Sequence, residues 1–152
     1  MNLTYSEVSG GTFKTSTSFA PGAVTSLVKV VNGQPFVSID IRQPAADDHD
    51  VQRTISLQFN GGIAAGQTLP LGRNGDPGAS VLYTESGVDS SGTQTTRRYS
   101  TTGGTVSLVS VEGLKVTVRL TDAVFSSFPT TAGYPGTFKL NGTVTVDSLI
   151  LP

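Results

Sequence analysis

The chain has 152 residues and a formal net charge of −1; 14% of its residues are charged, and it contains no cysteine and no tryptophan. Those values exclude disulfides and thiolate metal sites, and they withhold the gathered basic surface with which a nucleic-acid binder displaces counterions. A single domain of residues 1–152 is long enough to bury a core, and no apolar run approaches the ~20 residues of a membrane-spanning helix.

Alternating apolar and polar residues mark strands, because every second side chain of an extended chain falls on one face. Read in order, such runs cover 3–8, 12–19, 24–31, 36–43, 51–59, 80–86, 95–100, 105–110, 114–121 and 137–149. No segment keeps a helical period. Single helical turns are predicted only at 44–48, where Pro44 suits a first helical position, and at 121–127. Short strands at regular spacing, with turn residues between, predict an all-β protein: an antiparallel β-sandwich or flattened β-barrel of about ten strands with little or no helix.

Facing residues of a hairpin must share a face, so parity tests each turn. A two-residue turn at Asn32 and Gly33 sets Val28 against Val37 and Val24 against Ile41, apolar on apolar, and Asn-Gly is the preferred type I′ sequence. A three-residue Val111, Glu112, Gly113 loop sets Leu108 against Val116 and Val106 against Val118, a better register than the two-residue alternative. A hairpin at Asn141 and Gly142 would place Lys139 opposite Val144. Read straight through, Phe138, Leu140, Val144 and Val146 share one face, which predicts one long strand with Gly142 at a bulge.

Three segments read as loops: 43–50, the glycine-rich 61–79, and the Ser/Gly hairpin loop 87–92. Loops on a rigid β scaffold commonly carry function, and 61–79 is longer than a tight sandwich requires. Asp47, Asp48, His49 and Asp50 form the densest polar cluster and hold the single histidine. Three carboxylates and an imidazole are a donor set for a hard or borderline cation, so these four are the candidate metal ligands. No resident cofactor is expected; if the cluster takes a cation, Ca²⁺ suits its several oxygens and Zn²⁺ accepts His with Asp. The competing reading is a solvated acidic connection, since the spacing matches no calcium loop.

Carbohydrate-recognising faces usually expose aromatic rings. Tyr83, Tyr99 and Tyr134 are the candidates for a small stacking platform, with Arg97 or Arg98 beside them donating to hydroxyls or carboxylates. The ligand-binding candidates are therefore Tyr83, Tyr99, Arg97 and Arg98. The plainer alternative has Tyr83 capping a strand edge and Tyr99 covering the core. Asp40 and Arg42 lie two apart on one outward face, where an ion pair would be exposed and weak. Catalysis has little to work with: there is no GxSxG elbow, and Glu7, Glu85 and Glu112 fall in separate strands or turns.

The stretches TISLQFNGGIAAGQTLPLG from Thr54, VLYTES, RRYSTTGGTVSLVSVEG and GTFKLNGTVTV resemble a loosely defined group of secreted or lipoprotein-type bacterial β-domains of unknown function. In that group a strand ends in a glycine-bounded turn at the position of Gly66 to Gly72, followed by a tyrosine strand, a GGTV strand and a late GTF strand. The resemblance implies an extracellular or cell-envelope location and supplies no catalytic residues. The chain departs from the group in lacking a leader and a lipobox cysteine, which leaves virion and cytoplasm open.

Together these features predict a non-enzymatic module acting through its surface or loops, in a structural, assembly or binding role. Its expected partner is another protein or a second copy, met through an edge strand whose N–H and C=O groups are unpaired; a glycan is the further candidate. The alternatives are a small-ligand or carbohydrate-binding barrel and a cryptic hydrolase dependent on His49.

Overall fold

The computed structural model describes residues 2–6, 18–19, 23–31, 34–43, 52–61, 64–88, 91–112, 115–128 and 137–146. Every regular element among them is a strand: β1 Asn2–Ser6, β2 Ser18–Phe19, β3 Ala23–Val31, β4 Gln34–Gln43, β5 Gln52–Asn60, β6 Thr68–Gly72, β7 Gly78–Val88, β8 Gln94–Glu112, β9 Lys115–Ser127 and β10 Thr137–Val146. The protein is all-β, as the alternation predicts. The strands follow one another in the order β2-β1-β10-β9-β8-β6-β7-β5-β4-β3, with β7 and β8 also paired directly. Seven of the strands make one nearly closed, barrel-like sheet.

Side-chain distances show the curl. In a flat sheet β7 and β10 would stand about 14 Å apart, because β8 and β9 lie between them and each strand spacing is about 4.8 Å. Yet the rings of Tyr83 on β7 and Phe138 on β10 have centroids 5.0 Å apart. Only a sheet rolled onto its own inner face brings those two rings together. The same rolling buries the inward phase of each strand: on β5, Arg53, Ile55, Leu57 and Phe59 are buried while Thr54, Ser56 and Gln58 between them stay half-buried.

A bend crosses three neighbouring strands at one level. On β8 the inward phase runs through Tyr99 and Thr101, then resets to Val106 and Leu108; on β9 it runs through Val116, Val118 and Leu120, then resets to Ala123 and Phe125. Register shifts lie at Thr101/Gly103 and Gly103/Thr105 on β8 and opposite Leu140/Gly142 of β10. Asp122 takes a left-handed φ of 46° there, and its N–H donates to Asn141 Oδ1 at 2.7 Å. Gly104, at φ 92°, lies so close that a Cβ would come within 2.2 Å of the Asp122 carbonyl oxygen. Paired bulges of this kind sharpen local twist and let a sheet turn a corner.

Several expected registers stand. Val24 lies opposite Ile41 and Val28 opposite Val37, and Phe138, Leu140, Val144 and Val146 are all buried on the one strand β10, with the irregularity at Gly142. Others need correction. Residues 121–127 are strand, not a helical turn, and 95–100 and 105–110 belong to the single strand β8, the reset at Gly103 and Gly104 having split the pattern in two. The β8–β9 register sets Val106 against Leu120 and Leu108 against Val118, with a bulge between Leu108 and Ser110 that leaves Val109 exposed. The bulge restores apolar pairing where a longer loop was expected to. The predicted turn at 44–48 lies outside the described residues.

The stretch 61–79, expected to be a free loop, contains β6. This strand sits between β7 and β8, parallel to the first through Leu71 and Gly72 and antiparallel to the second through Thr68, Leu69 and Pro70. Thr101 closes the fork: its hydroxyl donates to Gly72 O at 2.6 Å and accepts from Val81 N–H at 3.0 Å. Beside it, Ser100 Oγ accepts from Asn74 N–H at 2.8 Å. Two buried hydroxyls thus satisfy backbone groups where the β7–β8 ladder parts.

Candidate functional site

Cross-strand register at one end of the barrel places Arg53 of β5 opposite Glu85 of β7, and Glu85 opposite Arg97 of β8. One step further in, Ile55 faces Tyr83 and Tyr83 faces Tyr99. Arg53 and Glu85 occupy slots that the alternation reserves for the interior, and they are 2% and 0% exposed. A charge so buried is costly unless matched. Arg53 Nε donates to Glu85 Oε1 at 3.4 Å, and the Tyr83 hydroxyl donates to the same oxygen at 2.6 Å. The carboxylate is thereby held between a guanidinium and a phenol.

Beneath this pair aromatic rings pack against one another inside the sheet. Phe125 and Phe138 stack with centroids 4.8 Å apart, and Tyr99 meets Phe138 edge-on at 5.2 Å. Tyr83 lies 6.1 Å from both Tyr99 and Phe125. Such offset and edge-to-face pairs contribute beyond their buried area, by roughly 0.5–1.5 kcal/mol each.

The four ligand-binding candidates therefore part company. Tyr83 and Tyr99 are fully buried in the aromatic layer and form no exposed platform. Arg97, on the same inward phase and beside Glu85, is half-buried; Arg98 alone points outward and is exposed. Asp47, Asp48, His49 and Asp50 lie outside the described residues, as does Tyr134. Among the described residues no group of three or more His, Cys, Asp or Glu could hold a metal ion, and no helix is long and apolar enough to cross a membrane.

Two groupings were missed in the sequence, although Glu85, Arg42 and Arg98 were each noted singly. Arg53 and Glu85 carry a usable signal: each stands in phase with apolar neighbours, Ile55 and Leu57 for the first, Val81 and Tyr83 for the second. The other group is a row on the outer face. Arg42 lies opposite Thr54, Thr54 opposite Thr84, and Thr84 opposite Arg98. No local motif joins these four, because the row exists only once β4, β5, β7 and β8 are in register. Asp40, the expected partner of Arg42, accepts a hydrogen bond from Ser56 Oγ instead.

Comparison with protein-family models, with curated proteins and with solved structures gives no match to this chain.

Proposed function

We propose that this protein is a non-enzymatic β-module that works through its outer surface and loops, in a structural, assembly or binding role in an envelope, extracellular or virion setting. The observation that carries the reading is the close packing of the inner face among the described residues. Tyr83 and Phe138 meet at 5.0 Å across it, and Glu85 is engaged by Arg53 and Tyr83 at full burial. A pocket for a small ligand needs a concave space with convergent polar groups; here those groups converge on each other.

On this reading the whole chain is one domain, a flattened barrel of about ten strands in which β1 to β3 complete the wall. Self-association or capture of a partner strand proceeds through an edge that the barrel leaves open.

The test is a thermal-shift panel of lipids, small apolar compounds and Ca²⁺, run beside a broad hydrolase screen. No compound is expected to raise the melting midpoint by occupying the interior, and no hydrolysis is expected. A small apolar ligand that stabilises the protein in a dose-dependent manner, or an activity abolished by His49→Ala, would replace the surface reading with a carrier or an enzyme. Light scattering after size exclusion is expected to show more than monomer mass at micromolar concentration; monomer alone removes edge pairing.

A further inference from the structure

We propose that the outer face of β4, β5, β7 and β8 binds an acidic polysaccharide, with Arg42 and Arg98 pairing to its carboxylate or sulfate groups and Thr54 and Thr84 hydrogen-bonding the sugar hydroxyls between them. The inference rests on the reading that the outer surface is the working part of this protein, and it names the ligand class of that surface.

The four side chains form one straight row across four adjacent strands, Arg42 to Thr54 to Thr84 to Arg98. Their chain neighbours Ile41, Ile55, Tyr83 and Tyr99 are buried, so the alternation turns the row outward. Both arginines are exposed, and the two threonines are half-buried between them. Three strand spacings separate the arginine backbones, about 14 Å. Long flexible stems let the guanidiniums close on charges carried by nearby residues of one chain.

Among the described residues, none takes up the donors of this row. Elsewhere on the outer face hydroxyls bond across strands: Ser86 with Thr96 at 3.0 Å, Thr68 with Ser107 at 3.0 Å, Thr117 with Thr145 at 3.2 Å. Thr54 and Thr84 face each other in register yet form no such bond, and among the described residues neither Arg42 nor Arg98 has an ion-pair partner. The carboxylate on the same strand, Asp40, is turned to Ser56.

The chemistry selects the ligand. A guanidinium offers a planar fork of N–H donors that matches carboxylate and sulfate oxygens. A threonine hydroxyl both donates and accepts, which suits a ligand dense in hydroxyls. Duplex nucleic acid calls for many phosphate contacts, and a chain of net charge −1 with two arginines in the row does not supply them. Two arginines and two hydroxyls make only a few weak contacts, and a repeating ligand gains by avidity.

The experiment is salt-gradient chromatography of the full chain on immobilised polygalacturonate, on dextran sulfate and on DNA-cellulose. Retention is expected on at least one polysaccharide, falling roughly tenfold at fixed salt in Arg42→Ala and in Arg98→Ala, in line with loss of one charge-assisted contact. The Thr54→Val/Thr84→Val double variant keeps the charge and the β-branched shape, and it is expected to weaken retention further than charge alone explains. Arg119→Ala removes an exposed arginine elsewhere on the outer face and is expected to elute with the wild type. Retention on neither polysaccharide, an equal loss in Arg119→Ala, or equal or stronger retention on DNA overturns the proposal. None of those results touches the packed inner face, whose own test is the thermal-shift panel.

Discussion

Inside the barrel, Arg53 is 2% exposed and bound to a carboxylate that also accepts a hydrogen bond from Tyr83. Outside it, Arg42 and Arg98 stand in solvent with no ion-pair partner among the described residues. Arg97 and Arg98 make the same contrast within a single dipeptide, the first beside buried Glu85 and the second on the opposite face. Residue type does not separate these arginines; phase in the two-residue alternation does. A charge on the inward phase must find its partner within the protein, whereas one on the outward phase keeps its donors for something else.

Substitutions on the inner face are expected to act on stability, and the largest effect belongs to a purely apolar ring that touches three others. Phe138→Ala removes the partner of Tyr83, Tyr99 and Phe125 and is expected to cost roughly 3–5 kcal/mol in urea unfolding. Glu85→Ala leaves the Arg53 guanidinium buried without its carboxylate, a loss of about 3–5 kcal/mol. The double variant Arg53→Met/Glu85→Leu sharpens the point: it is expected to recover most of that loss, since a buried pair and well-packed apolar groups are often close in stability. Recovery would show that the pair is a matched burden and not a source of stability.

Thr101→Val comes next, at about 1–3 kcal/mol, because the isosteric change orphans Val81 N–H and Gly72 C=O at the fork. On the outer face the scale drops. Thr117→Ala breaks one cross-strand hydroxyl pair with Thr145 and is expected to cost roughly 0.2–1 kcal/mol. Arg42→Ala and Arg98→Ala are expected to leave the unfolding midpoint unchanged while weakening polysaccharide retention. A melting midpoint that fell with either arginine would erase the distinction between the faces.

The sequence made some of this legible and hid the rest for definable reasons. The β3–β4 register matches the parity of Val24, Val28, Val37 and Ile41, because in the sequence the Asn-Gly signal and the apolar pairing agree. The single strand β10 could be read because its phase never resets. In β8 and β9 the phase does reset, at Gly103, Gly104 and Asp122, and a two-residue period read across a bulge looks like two short strands or none. β6 was hidden by Pro70 and its flanking glycines, composition that ordinarily marks a loop. Tyr83 stands out in the sequence as an aromatic residue, but its burial is legible only with the phase it shares with Val81 and Glu85, the latter matched across the sheet by Arg53. The outer row Arg42, Thr54, Thr84 and Arg98 is a property of three registers at once.

The contact between Tyr83 and Phe138 tests the account most directly, because strands β7 and β10 approach each other only if the sheet rolls onto its own inner face. In an assigned nuclear Overhauser spectrum, the ring protons of Tyr83 are expected to show strong cross-peaks to those of Phe138, whose centroid lies 5.0 Å away. Absence of those peaks, with the β7–β8 and β9–β10 ladder contacts present, would mean an open sheet and would contradict the division of labour between its two faces.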